Sequence, residues 1–187
     1  MKRNTHSGKR ALMLAVGLAC AGGAQAQSSY FGLGAGESNY SLDQGVGGFG
    51  ANRLDTVYRV EGGYYFNSNV GIGLEYNDFG KVSRAGGTTK AQGVSLSAVG
   101  KLPLSESFNL LGKVGTTWGN TNTTADPTSG IVAGDATDFG LSYGLGAEFL
   151  VSRDWSALLE FESHNLKFAG DRFDRLANAV IGVRYRY

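Results

Sequence analysis

Cysteine is all but missing: the single one, Cys20, lies in an N-terminal apolar segment. Lys2, Arg3, Lys9 and Arg10 precede an apolar run from Ala11 to Ala21, and Ala24-Gln25-Ala26 follows it. A basic region, an apolar region and a small-residue site in that order form a secretory signal peptide over residues 1–26, with cleavage expected after Ala26. The run is shorter than the roughly 20 residues a spanning helix needs, which argues against an anchor. Lipoprotein processing at Cys20 is disfavoured because Gly17 stands where such sites usually carry Leu. Cys20 leaves with the signal, so no disulfide can stabilise the single domain expected over 27–187.

An excess of basic charge is missing as well. Four of the 17 Lys and Arg residues belong to the signal, so 13 remain against 16 Asp and Glu. The mature net charge is then about −3, which excludes a nucleic-acid partner because phosphate binding needs a basic surplus. Proline is limited to Pro103 and Pro127. No later stretch is apolar for long enough to span a membrane as a helix.

What the chain does contain is strict period-2 alternation, repeated about eight times, as strands between lipid and a polar interior require. Tyr58, Val60, Tyr64 and Phe66 oppose Arg59 and Glu61, and then Val70, Ile72, Leu74 and Tyr76 oppose Glu75 and Asn77. Val94, Leu96, Ala98 and Leu102 oppose Ser95, Ser97 and Lys101, followed by Phe108, Leu110, Val114 and Trp118 opposite Lys113 and Thr117. Phe139, Leu141, Tyr143, Leu145, Ala147 and Phe149 oppose Ser142 and Glu148, and Trp155, Ala157, Leu159 and Phe161 oppose Ser156, Glu160 and Glu162. A first strand near Tyr30 to Glu37 and a last from about Leu176 to Tyr187 complete an all-β, eight-stranded antiparallel up-and-down transmembrane β-barrel.

Connections alternate between short turns and four long segments, Ser38 to Leu54, Gly80 to Lys90, Gly119 to Thr137 and His164 to Asp174. Short periplasmic turns and long extracellular loops are the pattern of outer-membrane barrels, with both chain ends in the periplasm. The polar face collects Arg59, Glu61, Glu75, Lys101, Lys113, Glu148, Glu160, Glu162, Arg184 and Arg186, five of each sign. An eight-stranded lumen is just wide enough to be filled by side chains, so this set is expected to pair inside as salt bridges. Aromatic girdles are expected at Phe66, Phe108, Phe149, Trp155 and Tyr187 near the turns, and at Tyr58, Tyr76, Trp118, Phe139 and Phe161 near the loops.

The C-terminal alternation of Ile181, Val183, Tyr185 and Tyr187 resembles the terminal strand read by the bacterial outer-membrane assembly machinery, with Tyr in place of the usual final Phe. Together with Tyr30-Phe31-Gly32-Leu33-Gly34, Val99-Gly100-Lys101-Leu102-Pro103-Leu104 and Tyr143-Gly144-Leu145-Gly146-Ala147-Glu148-Phe149, it makes the chain resemble the OmpA-like transmembrane β-barrel family. The resemblance covers nearly all of 27–187. It implies an integral outer-membrane location; the peptidoglycan-binding domain of full-length family members is not expected here.

Catalytic signals are sparse. His164 is the one histidine after the signal, but adjacent Ser163 points to the other face of a strand, poor geometry for a nucleophile and its base. His164 is therefore assigned to the base of a loop, and no enzyme activity is expected. Asp126, Asp135 and Asp138 are read as a solvated loop rather than a cation site, and no metal or cofactor is expected. Gly32-Leu33-Gly34-Ala35-Gly36 and Gly144-Leu145-Gly146 lie within strands and carry no phosphate-loop lysine, so they are assigned to relieving crowding in the lumen. The expected role is structural or surface-interacting through four extracellular loops, with Tyr40, Phe49 and Phe168 at their tips. Its partners would be outer-membrane lipid and lipopolysaccharide, host surfaces or envelope components. A narrow ion-conducting pore is the alternative, and a lipid A-modifying enzyme the third reading.

Overall fold

A chain that alternates apolar and polar residues with period 2 can bury one face of every strand by closing its sheet on itself, and this chain does so. The computed structural model describes residues 28–41, 54–84, 86–128, 130, 132–170 and 172–187. The expected signal peptide and Phe49 lie outside the described residues. The strands are β1 (Ser29–Tyr40), β2 (Leu54–Tyr65), β3 (Val70–Arg84), β4 (Gly87–Pro103), β5 (Phe108–Ala125), β6 (Gly134–Leu150), β7 (Trp155–Phe168) and β8 (Arg172–Arg186). Each pairs antiparallel with its successor, and β8 pairs with β1 to close the barrel.

Local chemistry explains the tight end. Asn67 Oδ1 accepts from the N–H groups of Asn69 and Val70, both at 2.8 Å. Leu104 N–H donates to Phe108 at 2.9 Å, and Val151 N–H to Trp155 at 3.0 Å. Pro103, the last residue of β4, sits where a strand can end without needing its missing donor.

The opposite end differs from expectation. The segments 80–90, 119–137 and 164–174 are not long loops, because strands occupy most of them and leave only short tips. A strand needs about 9–11 residues to cross a membrane, yet β5 has 18 and β6 has 17. On β5 the outward side chains from Phe108 to Trp118 are apolar apart from Thr116, whose hydroxyl donates to the Gly140 carbonyl, and they turn polar throughout at Asn120, Asn122 and Thr124. Pairing nevertheless continues to Thr123 opposite Gly134. The alternation persists past the lipid with polar residues on the outside, so polarity there marks strand beyond the membrane and not loop.

One irregularity shapes the interior. The β3–β4 register shifts between Asp78 and Lys81 at a bulge containing Gly80, whose φ of 75° suits glycine. Inward positions on β3 therefore pass from Phe79 to Val82. Tyr40 Oη donates to the Phe79 carbonyl and Ser38 Oγ reaches the same oxygen at 2.6 Å, fastening the bulge to β1.

Candidate functional site

Every inward charge in the middle of the barrel meets a partner across the lumen. Arg59 on β2 places Nη1 2.7 Å from Glu160 and Nη2 2.6 Å from Glu162, both on β7, while Nε donates to Asn77 at 2.9 Å. Lys113 on β5 lies 2.6 Å from Glu75, 2.8 Å from Glu160, 3.1 Å from Glu162 and 3.4 Å from Glu61. Arg184 on β8 lies 2.8 Å from Glu61 and 3.5 Å from Glu148, with its guanidinium 4.1 Å from the Tyr30 ring centre. Arg184 is 0% exposed and Lys113, the most accessible of these groups, 8%.

The expected five-to-five balance does not describe this belt. Lys101 and Arg186 stand half-exposed at the turn end. Lys101 lies 4.2 Å over the Tyr65 ring, and Arg186 donates to the Arg153 carbonyl at 3.2 Å. The buried belt thus holds five glutamates and three basic side chains. Neutral donors serve the surplus: Glu148 accepts from Asn109 at 2.8 Å and Ser156 at 2.9 Å. Bulk is removed where the belt needs room. A Cβ on Gly32 would lie 2.6 Å from Glu61 Oε1, one on Gly144 2.6 Å from Glu162 Cγ, and one on Gly146 2.8 Å from Glu160 Cγ.

Apolar layers seal the belt on both sides, a feature the sequence reading missed. Tyr30, Tyr65 and Val99 form a floor at the turn end. Tyr40, Val57, Phe79, Val82, Ala91, Leu166, Phe168, Leu176 and Val180 form a lid at the other end. Tyr40 and Phe168 are therefore not tip contacts: they are 1% and 2% exposed and meet edge-on at 6.4 Å. The available signal was phase, since Val57 shares a face with Arg59, and Leu166 and Phe168 share one with Glu162.

His164 is likewise not at a loop base. It is buried inside, 2.8 Å from Thr117 Oγ1 through Nδ1 and 3.3 Å from Glu162 through Nε2, with its ring against Phe79. Thr117, His164 and Glu162 are all buried, whereas Ser163 faces the outer wall. The third-connection aspartates are engaged locally. Asp135 accepts from Asn122, Asp138 lies 3.4 Å from Lys167, and the Thr128 backbone and hydroxyl donors hold the Asp126 carboxyl below the usual carboxylate range.

The outer wall carries the apolar side chains. Phe66, Phe108, Phe149, Trp155 and Tyr187 are exposed toward the turn end, and Tyr58, Trp118, Phe139 and Phe161 toward the other, with Tyr76 half-buried among them. Trp118 stacks on Phe139 at 6.4 Å, and Trp155 meets Tyr185 at 5.0 Å. Ile181, Val183, Tyr185 and Tyr187 all face outward on or just past β8.

Charges inside and hydrocarbon outside invert the arrangement of a water-soluble barrel. Residues 11–187 match the family described as outer membrane protein beta-barrel domain. The chain belongs to this family. Outer membrane protein A of Klebsiella pneumoniae is 29% identical over 135 residues, 67% of this chain, which covers 39% of that relative's length. The attachment invasion locus protein Ail of Yersinia pestis shares the fold at 17% identity and a TM-score of 0.58, covering 87% of this chain and 100% of its own. Neisserial surface protein A does so at 12% identity and a TM-score of 0.62, covering 89% and 100%. As a family member the protein is a small barrel of the cell outer membrane.

Proposed function

We propose that the protein is a closed, non-conducting barrel whose working surface is its extracellular rim, a structural or interaction protein rather than a channel or an enzyme. The observation that carries this reading is the filled interior, with a paired charge belt between an apolar floor and an apolar lid. An ion crossing it would have to separate buried pairs and displace both layers. Discrete conductance steps from refolded protein in planar bilayers would overturn the reading; a silent bilayer is expected.

The rim consists of strand extensions bearing Lys81, Lys90, Asn120, Asn122, Asp135 and Lys167, a polar surface of mixed sign. Such a surface suits lipopolysaccharide, host or envelope components. Ail has been crystallised with the heparin analogue sucrose octasulfate; on the rim here Lys90 and Lys167 are each paired with an aspartate, Asp78 and Asp138. Protease treatment of intact cells is expected to cut at the 126–133 tip and to spare the 104–107 turn. We also infer that the outward row Ile181, Val183, Tyr185 and Tyr187 is read during barrel assembly.

A further inference from the structure

The lipid-facing wall is interrupted by a groove. The outward positions Val70, Gly100, Gly112, Leu145 and Phe161 pair in sequence across five strands, and two neighbours among them have no side chain. A Cβ on Gly100 would find nothing nearer than 3.8 Å, and one on Gly112 nothing nearer than 4.0 Å. The depression, about 830 Å³, continues past Tyr143 to Ser163 and Arg175. Strands of such barrels tilt by roughly 35–45°, so a row across them climbs the wall obliquely. It runs from the periplasmic start of β3 to the outer half of β7 and β8.

Its upper end is polar. Ser163 is 9% exposed, and its Oγ is buried without a hydrogen-bond partner. A buried hydroxyl in that state has an unused hydrogen-bonding capacity that a polar group entering the groove would satisfy. Arg175, exposed on the neighbouring strand, adds a cation at the same end. We propose that this groove binds one acyl chain of a phosphorylated outer-leaflet lipid, with Arg175 on its phosphate and the Ser163 hydroxyl donating to a headgroup or ester oxygen. A second barrel packed here would instead cover the Arg175 cation with an apolar wall, which is unfavourable without a paired anion.

The test is native mass spectrometry of the refolded barrel in detergent with bisphosphorylated lipid A, or its dephosphorylated form, added. One lipid A retained per barrel is expected. Arg175→Gln should weaken retention by about five-fold, the effect of one basic residue at an anionic lipid surface, and leave the dephosphorylated form unaffected. Gly112→Leu, whose side chain enters open space and leaves the barrel intact, should prevent retention of both forms. Heat-modifiable gel migration verifies folding of each variant. Lipid that adds without a single-occupancy step, equal retention by Gly112→Leu, or barrel dimers that Gly112→Leu abolishes would each overturn the proposal.

Discussion

Lys113 meets four glutamates, and Arg59 meets three of the same set, Glu75, Glu160 and Glu162. Removing either cation leaves buried carboxylates without compensation, which costs roughly 3–5 kcal/mol. Lys113→Ala, Arg59→Ala and Glu148→Ala are each expected to lower unfolding stability by about that much in urea titrations in lipid vesicles. Thr128→Ala at the exposed tip should stay within about 0.5 kcal/mol. These charges were legible because each interrupts an alternating apolar pattern on one fixed phase. Tyr40 and Phe168 were not, because an aromatic residue just beyond the last charge reads the same whether it caps a lumen or crowns a loop. The Gly80 bulge decides the matter for Tyr40 by bringing the Phe79 carbonyl within its reach.

At the scale of the strand, outward residues answer to depth in the bilayer. Leu145 lies midway along the apolar run of β6, and Phe139 ends it. Leu145→Arg is expected to cost about 2–4 kcal/mol and Phe139→Arg about 0–1, measured by the same titration. Equal costs would misplace the membrane. Strand number and pairing order were readable from the repeated period, whereas strand length was not, since Thr121, Asn122 and Thr123 continue in unbroken register with β6 beyond the apolar residues below them. Hydrogen exchange should therefore show amide protection on β5 continuing beyond Trp118 to Thr123. Protection ending at Trp118 would restore a loop there.

For the molecule as a whole, closure was legible and the composition of the interior only partly so. Because the belt is enclosed between floor and lid, salt has little access to it. Raising sodium chloride to about 1 M should shift the unfolding midpoint far less than Lys113→Ala does; a comparable shift would mean that the interior is open to solution. The belt also has a history within each folding event. Arg59 and Glu61 lie near the start of the chain, while Glu160, Glu162 and Arg184 lie near its end, 101 to 123 residues away. Until β1 meets β8, Arg59 and Glu61 lack their β7 and β8 counterparts, and a half-built sheet presents them only partly satisfied to the bilayer. Neutralisation is completed only with the final seam, so an unfinished barrel is penalised and only the completed ring is at home in the membrane.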